Sequence, residues 1–206
     1  MALIKRKQSK NYYDIEYRVN YYNARNTAWD FLIKNNVTTF PLDLHQIIKN
    51  NHWELWSYKK FERVCGISRQ DLIDLSPDGF TDVDSDNNYR IVVNEENSRH
   101  RSRFTTAHEM GHIVLHKVYR DSDKLEKEAN IFASRILMPM VLIKELEIRS
   151  PQELSDLCDV SIQSAEIRLK RFDDIKGREK FYTNPLEIKL YNNLKPFIEK
   201  LKKERK

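Results

Sequence analysis

The sequence lacks any apolar run of the roughly 18 to 20 residues that a membrane-spanning helix needs. Its basic start, MALIKRKQSKNYYD, is followed by no apolar core, so we expect no signal peptide. The two cysteines, Cys65 and Cys158, lie far apart and form no CxxC pair. This spacing argues against a cysteine-built zinc site and suits a reducing compartment. These absences together predict a cytoplasmic protein.

What is present is an ordinary globular composition. The 206 residues are 40% hydrophobic and 33% charged, which excludes a disordered or fibrous chain. The formal net charge of +5 is uneven, because residues 176–206 contain ten Lys or Arg against four Glu. A basic tail can attract nucleic acid or an acidic partner, or it can simply be a solvated helix end.

The hydrophobic pattern predicts an α+β fold, with a small α/β front half followed by helices. A strand is predicted at His52–Trp56, and the pattern becomes β from Gly79 to Asn94. Phe80 and Val83 precede turn residues at 84–88 there, and Tyr89–Asn94 is a second strand. Ser150 and Glu153 form a capping box ahead of a helix. The predicted helices cover 20–35, a short stretch from 42 to 48, 102–116, 122–137, 139–147, 151–158, 162–172 and 185 to the end.

An H-E-x-x-H motif lies in the helix predicted over 102–116. Its histidines, His108 and His112, are four residues apart and therefore lie on one face of a helix. Two imidazoles placed in this way can hold one Zn²⁺, and Glu109 can reach a water at the metal without ligating it. The alternative is a pair of ordinary helix histidines beside a solvated glutamate.

A third ligand is expected from the helix predicted over 122–137. Glu126 shares one face of that helix with small residues that allow close packing against another helix. Asn130 lies one turn further along and is placed to orient a ligand. Glu128 is rotated about 200° from Glu126 and should face elsewhere. The alternative is that both glutamates are surface charges that pair with lysines.

His116 lies one turn beyond His112 on the same side of the helix. Three histidines at successive turns of a straight helix cannot converge on one tetrahedral ion, so we expect a structural or substrate-side role for His116.

Taken together, these residues resemble the ImmA/IrrE family of metallopeptidases. The resemblance is carried by RFTTAHEMGHIVLH at 103–116, E-x-E-A-N-x-F-A at 126–133 and L-M-P at 137–139. It implies a gluzincin-like fold in which a small sheet, an active-site helix and a second helix bring the ligands together. On this basis we predict a zincin-like metallopeptidase domain at 1–149 and a helical C-terminal segment at 150–206.

The resemblance implies a zinc-dependent endopeptidase that cleaves a helix-turn-helix repressor and so derepresses genes of a mobile element or a stress response. In such a reaction Glu109 would be the general base, and His108, His112 and Glu126 would hold Zn²⁺. The strand Tyr89–Asn94 could bind the substrate backbone as an added strand, or it could be a plain buried strand.

A different function is suggested by residues 153–172, which resemble a helix-turn-helix with Ser161 capping its second helix. The alternative is therefore a DNA- or repressor-binding regulatory protein with a structural or non-catalytic zinc site. The basic C-terminus could add a weak contact with nucleic acid. Against this reading, the second helix carries few side chains that read bases, and Glu166 would repel phosphate.

Overall fold

A computed structural model describes residues 19–116, 122–177 and 181–205. The helices in this part of the chain are α1 (Tyr21–Lys34), α2 (Leu44–Asn50), α3 (Tyr58–Cys65), α4 (Arg69–Leu75), α5 (Arg99–Leu115), α6 (Asp123–Leu137), α7 (Met140–Glu145), α8 (Pro151–Cys158), α9 (Ile162–Lys176) and α10 (Pro185–Glu204). The strands are β1 (Glu54–Ser57), β2 (Gly79–Val83) and β3 (Tyr89–Val93). The predicted α+β fold with a helical C-terminal part is confirmed.

The three strands of the described chain form one mixed sheet in the order β1-β3-β2. β1 runs parallel to β3, with Leu55 opposite Ile91, and β2 runs antiparallel to β3, with Thr81 opposite Ile91. β3 is therefore the central strand, and neighbours occupy both of its hydrogen-bonding edges. For the strand at Tyr89–Asn94, this order favours the alternative of a plain buried strand over the binding of a substrate backbone, and the described edge strands are β1 and β2.

The main hydrophobic core lies among the helices. It joins Phe132 of α6 to Leu32 of α1 and continues without a break to Leu154 of α8, Ala165 of α9 and Leu190 of α10. Each of these five side chains is fully buried. The division predicted at residue 150 stays a prediction, and both apolar and polar contacts cross it, among them the hydrogen bond from Arg168 to the carbonyl oxygen of Met138.

A smaller cluster fills the space between the sheet and the helices α3 and α4. Tyr58, Leu72 and Val92 are its most deeply buried members, with Trp56 and Phe61 beside them. These two short helices were absent from the sequence-based prediction. They form one side of the molecule next to β2.

Serine side chains fix the starts of the helices that matter for the site. The side chain of Ser98 accepts a hydrogen bond from the backbone N–H of Arg101 at the start of α5, and Ser122 caps α6 in the same manner. The predicted caps at Ser150 and Ser161 are confirmed. Within the described ranges, every helix is too short or too polar to cross a bilayer.

Candidate metal centre

The helix α5 presents two histidines to one point. His108 and His112 lie one turn apart, and their Nε2 atoms are 2.9 Å from each other. The side chain of His112 is 6% exposed and that of His108 is 13% exposed. The i,i+4 spacing therefore places both imidazoles at the floor of a cleft rather than in solvent.

The helix α6 can approach α5 closely because small residues meet at the crossing. A Cβ atom added to Gly111 would lie 3.1 Å from the Cα of Ala129 and 3.2 Å from the carbonyl oxygen of the same residue. Ala107 and Ala133 are also fully buried. This close packing positions the first turn of α6, which carries Glu126, against the two histidines.

The carboxylate of Glu126 contacts both imidazoles. Its Oε2 lies 3.2 Å from Nε2 of His108, and its Oε1 lies 3.2 Å from Nε2 of His112. The structure thus brings two nitrogen donors and one carboxylate to a common point. The predicted alternative, in which Glu126 is a surface charge paired with a lysine, does not describe these contacts.

Two features keep the imidazole nitrogens available for a metal ion. Nδ1 of His108 lies 3.0 Å from Oδ1 of Asn130, so a proton on Nδ1 can be donated to that oxygen and Nε2 is left with its lone pair. Burial, together with the neighbouring His108 and His116, lowers the pKa of His112 to about 3. The neutral imidazole is the form that binds metals.

Glu109 points to the other side of the same cleft. Its Oε2 accepts a hydrogen bond of 2.8 Å from the hydroxyl of Thr81 on β2, and the residue is 6% exposed. Burial raises the pKa of the Glu109 carboxyl, although His108 and Thr81 act in the opposite direction. Ligand atoms of His108, Glu109 and His112 lie within 4.8 Å of one another.

The approach of β2 to α5 again depends on a glycine. A Cβ atom at Gly79 would lie 2.6 Å from the carbonyl oxygen of Val92 and 2.7 Å from Cγ2 of Thr105. Only a residue without a side chain fits there, and this close contact brings Thr81, two residues on, within reach of Glu109.

The site opens into a cleft of about 570 Å³. One wall is formed by the histidines, Glu109, Glu126 and Asn130, and the opposite wall by residues 75–81, which include Phe80 and Thr81. A cleft of this volume is large enough to take several residues of a peptide chain.

A comparison with protein families decides the class of the protein. The Peptidase_M78 family, described as the IrrE N-terminal-like domain, matches residues 68–170, which is half of the chain. The chain belongs to this family. A comparison with curated proteins finds no significant match.

Membership of the Peptidase_M78 family confirms the resemblance to ImmA/IrrE proteins. The family is one of metal-dependent peptidases, so the chain is of the metallopeptidase type and its substrate class is protein. The matched region extends from just before α4 into α9 and contains His108, Glu109, His112, Glu126 and Asn130.

Sequence reasoning missed the partners that hold these residues from outside the two helices. Thr81 gave no signal, because one threonine in a short strand is unremarkable until the fold places it beside Glu109. Glu128 lies away from the meeting point of His108 and His112, as its position on the helix predicted, yet it is 5% exposed and contacts His116.

Proposed function

We propose that this peptidase is a zinc-dependent endopeptidase that cleaves a DNA-binding repressor protein and thereby derepresses genes. The proposal rests on one observation above all. Nitrogen atoms of His108 and His112 and the carboxylate of Glu126 meet beside the buried carboxylate of Glu109.

The donor set fits Zn²⁺. Zinc bonds of about 2.0 to 2.1 Å to tetrahedral ligands place neighbouring donor atoms about 3.3 Å apart. The donor atoms of His108, His112 and Glu126 are separated by 2.9 to 3.2 Å. Two imidazoles and one carboxylate form a ligand set that catalytic zinc sites use, with a fourth position open to water or substrate.

When bound, a zinc ion supplies a Lewis acid that polarises a peptide carbonyl and lowers the pKa of water from about 15.7 to near 7. The chain supplies the base. Glu109 is placed at the cleft to take a proton from the attacking water and to return it to the leaving amine. The hydroxyl of Thr81 holds the carboxylate in this orientation, and burial makes it a stronger base than a solvated glutamate.

Asn130 has a supporting role in this proposal. Its Oδ1 lies 3.0 Å from Nδ1 of His108, which orients the imidazole and keeps its Nε2 directed at the metal. Partners of this kind raise the basicity of ligating histidines and fix their tautomer.

A peptide substrate is proposed to lie along β2. This strand pairs with β3 on one side only among the described strands, and its residues Gly79, Phe80 and Thr81 line the cleft. An extended peptide can add to such an edge through main-chain hydrogen bonds, independent of its sequence. Its scissile bond would then pass between Glu109 and the metal ligands.

A repressor is proposed as the substrate because the family resemblance implies it and because the C-terminal segment offers a basic surface. α10 exposes Lys189 and Lys203, and the ten Lys or Arg of residues 176–206 outnumber its four Glu. Residues 178–180 and 206 of this segment lie outside the described part of the chain. A basic surface would attract the acidic face of a partner and allow weak contact with nucleic acid.

The alternative is a regulatory protein that binds DNA or a repressor and uses zinc structurally. Its support is the helix pair α8 and α9, in which Leu154, Val160 and Ala165 are buried as a helix-turn-helix requires. The exposed residues in the first part of α9 are Ile162, Gln163, Glu166 and Ile167, of which Gln163 alone suits contact with base edges, and the exposed cations Lys170 and Arg171 lie further along the helix.

Replacement of Glu109 by Gln separates these readings. The amide has the same shape but cannot accept the proton of water, so cleavage of a verified repressor substrate should fall by about 10² to 10⁴ in kcat. Metal content and thermal stability should stay near those of the unaltered chain. A structural role for the metal predicts instead that repressor binding and regulation survive in Glu109→Gln.

The proposed repressor substrate is tested by replacing surface lysines of α10 rather than by removing the helix. Leu190, Leu194 and Ile198 of α10 are fully buried, so a chain that lacks α10 would expose its core. Replacement of both Lys189 and Lys203 by serine should lower kcat/KM for the repressor several-fold at low salt. It should have little effect at 1 M salt, where the Debye length is about 3 Å.

The matched control is the replacement of both Lys34 and Lys49 by serine, since these lysines are exposed on α1 and α2. Digestion of an unrelated unfolded protein as fast as the repressor, with no response to either pair of changes, would contradict a specific repressor substrate.

A further inference from the structure

A second set of buried polar groups lies behind His112, on the side away from the cleft. Nδ1 of His112 is 3.2 Å from Nδ1 of His116, and Nε2 of His116 is 3.2 Å from Oε2 of Glu128. Oε1 of Glu128 accepts a hydrogen bond of 2.7 Å from the backbone N–H of Asn20. The side chains of His116 and Glu128 are each 6% exposed. We refer to these four residues as the His112 relay.

When His116 is neutral, one arrangement of hydrogen atoms fits the contacts of the His112 relay. The backbone N–H of Asn20 can only donate, and a carboxylate can only accept, so Nε2 of His116 must donate to Glu128. A neutral His116 then has its lone pair on Nδ1, and the hydrogen bond to His112 requires a proton on Nδ1 of His112. This leaves the lone pair of His112 on Nε2, the atom that faces His108 and Glu126.

We propose that His116 and Glu128 are positioning residues that fix His112 in its metal-binding tautomer and orientation. The proposal rests on the metal site of the proposed function. It assigns to the start of α1 a share in that site, because the backbone of Asn20 anchors the far end of the relay.

The two ligand histidines are held in different ways. The partner of His108 is the amide of Asn130, which is exposed and can present either its oxygen or its nitrogen after a rotation. The partner of His112 leads to a buried carboxylate, which has no donor to present. The relay therefore determines the tautomer of His112 more strongly than Asn130 determines that of His108.

The anchor of the relay belongs to a capped helix. Asn20 is the N-cap of α1, and its Oδ1 accepts a hydrogen bond of 2.9 Å from the N–H of Asn23. Ala24 and Ala28 of α1 are fully buried, and α1 packs against α6. The backbone N–H that meets Glu128 is thus held by a capped helix on the same core as the metal ligands.

The decisive variant is Glu128→Gln, measured by Zn²⁺ affinity in competition with a chromogenic chelator. Gln fills the same space but offers one oxygen and one NH₂ group. Either the N–H of Asn20 or the N–H of His116 would then face a donor, and the direction of the relay would be lost. We expect Zn²⁺ to bind 10- to 100-fold more weakly, the usual effect of removing such a partner.

Glu187→Gln is the matched control. Glu187 is also 5% exposed, and its Oε2 accepts a backbone N–H, that of Tyr182, at the same distance of 2.7 Å. It lies on α10, whereas the relay joins α5, α6 and α1. Glu187→Gln should lower the melting temperature of the metal-free protein as much as Glu128→Gln does, yet leave Zn²⁺ affinity unchanged.

Two changes at His116 provide an independent test. Phe keeps a planar ring but has no nitrogen, so His116→Phe should weaken Zn²⁺ binding as Glu128→Gln does. Gln can accept with its oxygen and donate with its nitrogen, so His116→Gln should bind Zn²⁺ more tightly than His116→Phe. This rescue would not follow from a role in packing alone.

The inference is overturned if Glu128→Gln and His116→Phe bind Zn²⁺ as tightly as the unaltered chain. It is equally overturned if Glu187→Gln weakens Zn²⁺ binding to the same extent, since the effect would then follow general stability. Failure of the unaltered chain to bind Zn²⁺ would refute the proposed metal site itself, and so the two proposals can fail separately.

Discussion

Buried polar groups occur in two regions of this molecule, and they are satisfied differently. Around α5 and α6, the buried side chain of Glu109 lines the cleft and accepts a hydrogen bond from Thr81, while His112 and Glu128 are joined through His116 behind the cleft. In the C-terminal helices, Arg168 donates to the carbonyl oxygen of Met138 at 2.8 Å, and Glu187 accepts the N–H of Tyr182.

The difference shows that burial alone does not identify a site. Burial lowers the pKa of Arg168 and raises that of Glu109, so a shifted pKa is found in both regions. Nearly all buried polar groups must find a partner, and a backbone group is the commonest one. What marks the region of α5 and α6 is that ligand atoms from separate helices meet at one point.

The largest expected effect comes from removal of a ligand atom at that point. The zinc content of His112→Ala and of Glu126→Ala should fall from about one ion per chain to nearly none, because each variant lacks one of the three protein ligands. Proteolysis should fall with the zinc content. Metal analysis after dialysis and a cleavage assay measure this. Ala at His45 and at Glu166, both exposed, serves as the control.

A different outcome would reassign the carboxylate ligand. Full zinc content in Glu126→Ala together with loss in Glu128→Ala would make Glu128 the third ligand. Loss of zinc in Glu109→Gln would make Glu109 a ligand, in keeping with its closeness to both histidines.

The second largest effect concerns the close packing of α5 against α6 at Gly111. Ala at Gly111 would press on the backbone of α6 at Ala129, whereas no atom of the described chain lies within 4 Å of a Cβ at Gly177. We expect the free energy of unfolding of Gly111→Ala to lie about 1 to 3 kcal/mol below that of Gly177→Ala.

Urea unfolding of the two glycine variants provides the measurement. Zinc affinity should fall in Gly111→Ala alone, because displacement of α6 moves Glu126. Equal stability and equal zinc affinity of the two variants would show that the crossing of α5 and α6 tolerates a methyl group and does not set the position of Glu126.

The part of the site that lies on single helices could be predicted from sequence. The spacing of His108 and His112 fixes their common face through the geometry of one helix, and the phase of α6 separates Glu126 from Glu128. Such relations are local, so they need no knowledge of how the helices pack. The start of α6 was predicted to within one residue, whereas α5 begins at Arg99, three residues before the predicted start at 102, after a cap at Ser98 that the prediction did not include.

The rest depends on contacts between distant segments. Thr81 and Glu109 are separated by 28 positions in the sequence, and Asn20 and Glu128 by 108 positions. No sequence pattern indicates that either pair is in contact. The helices α3 and α4, of eight and seven residues, were also missed. Whether β3 binds substrate or is a plain buried strand could not be decided from sequence, because strand order is a property of the whole sheet, and β1 enters it in parallel from an earlier part of the chain.

The smallest expected effect concerns the two cysteines, of which one is exposed and the other is buried among the C-terminal helices. Cys65 at the end of α3 is exposed, and Cys158 at the end of α8 is buried. Burial raises the pKa of Cys158 to about 12, and the nearby Arg103 and Arg168 only partly oppose it. Reactive thiols have positively charged surroundings and are exposed to solvent. Cys158 has the charged neighbours but is buried, and we therefore expect it to be unreactive in the folded protein.

We therefore expect one thiol to react with iodoacetamide in the folded protein at pH 8 and the second to react only as the protein unfolds. At pH 8 a thiol of pKa about 12 is ionised to about one part in ten thousand, and reagent reaches it only through opening of the core. Cys65→Ser should remove the fast reaction, and Cys158→Ala should leave it unchanged. Reaction of Cys158 in the folded state within tenfold of the rate of Cys65 would contradict the burial of Cys158, because it would show an accessible nucleophile among the C-terminal helices.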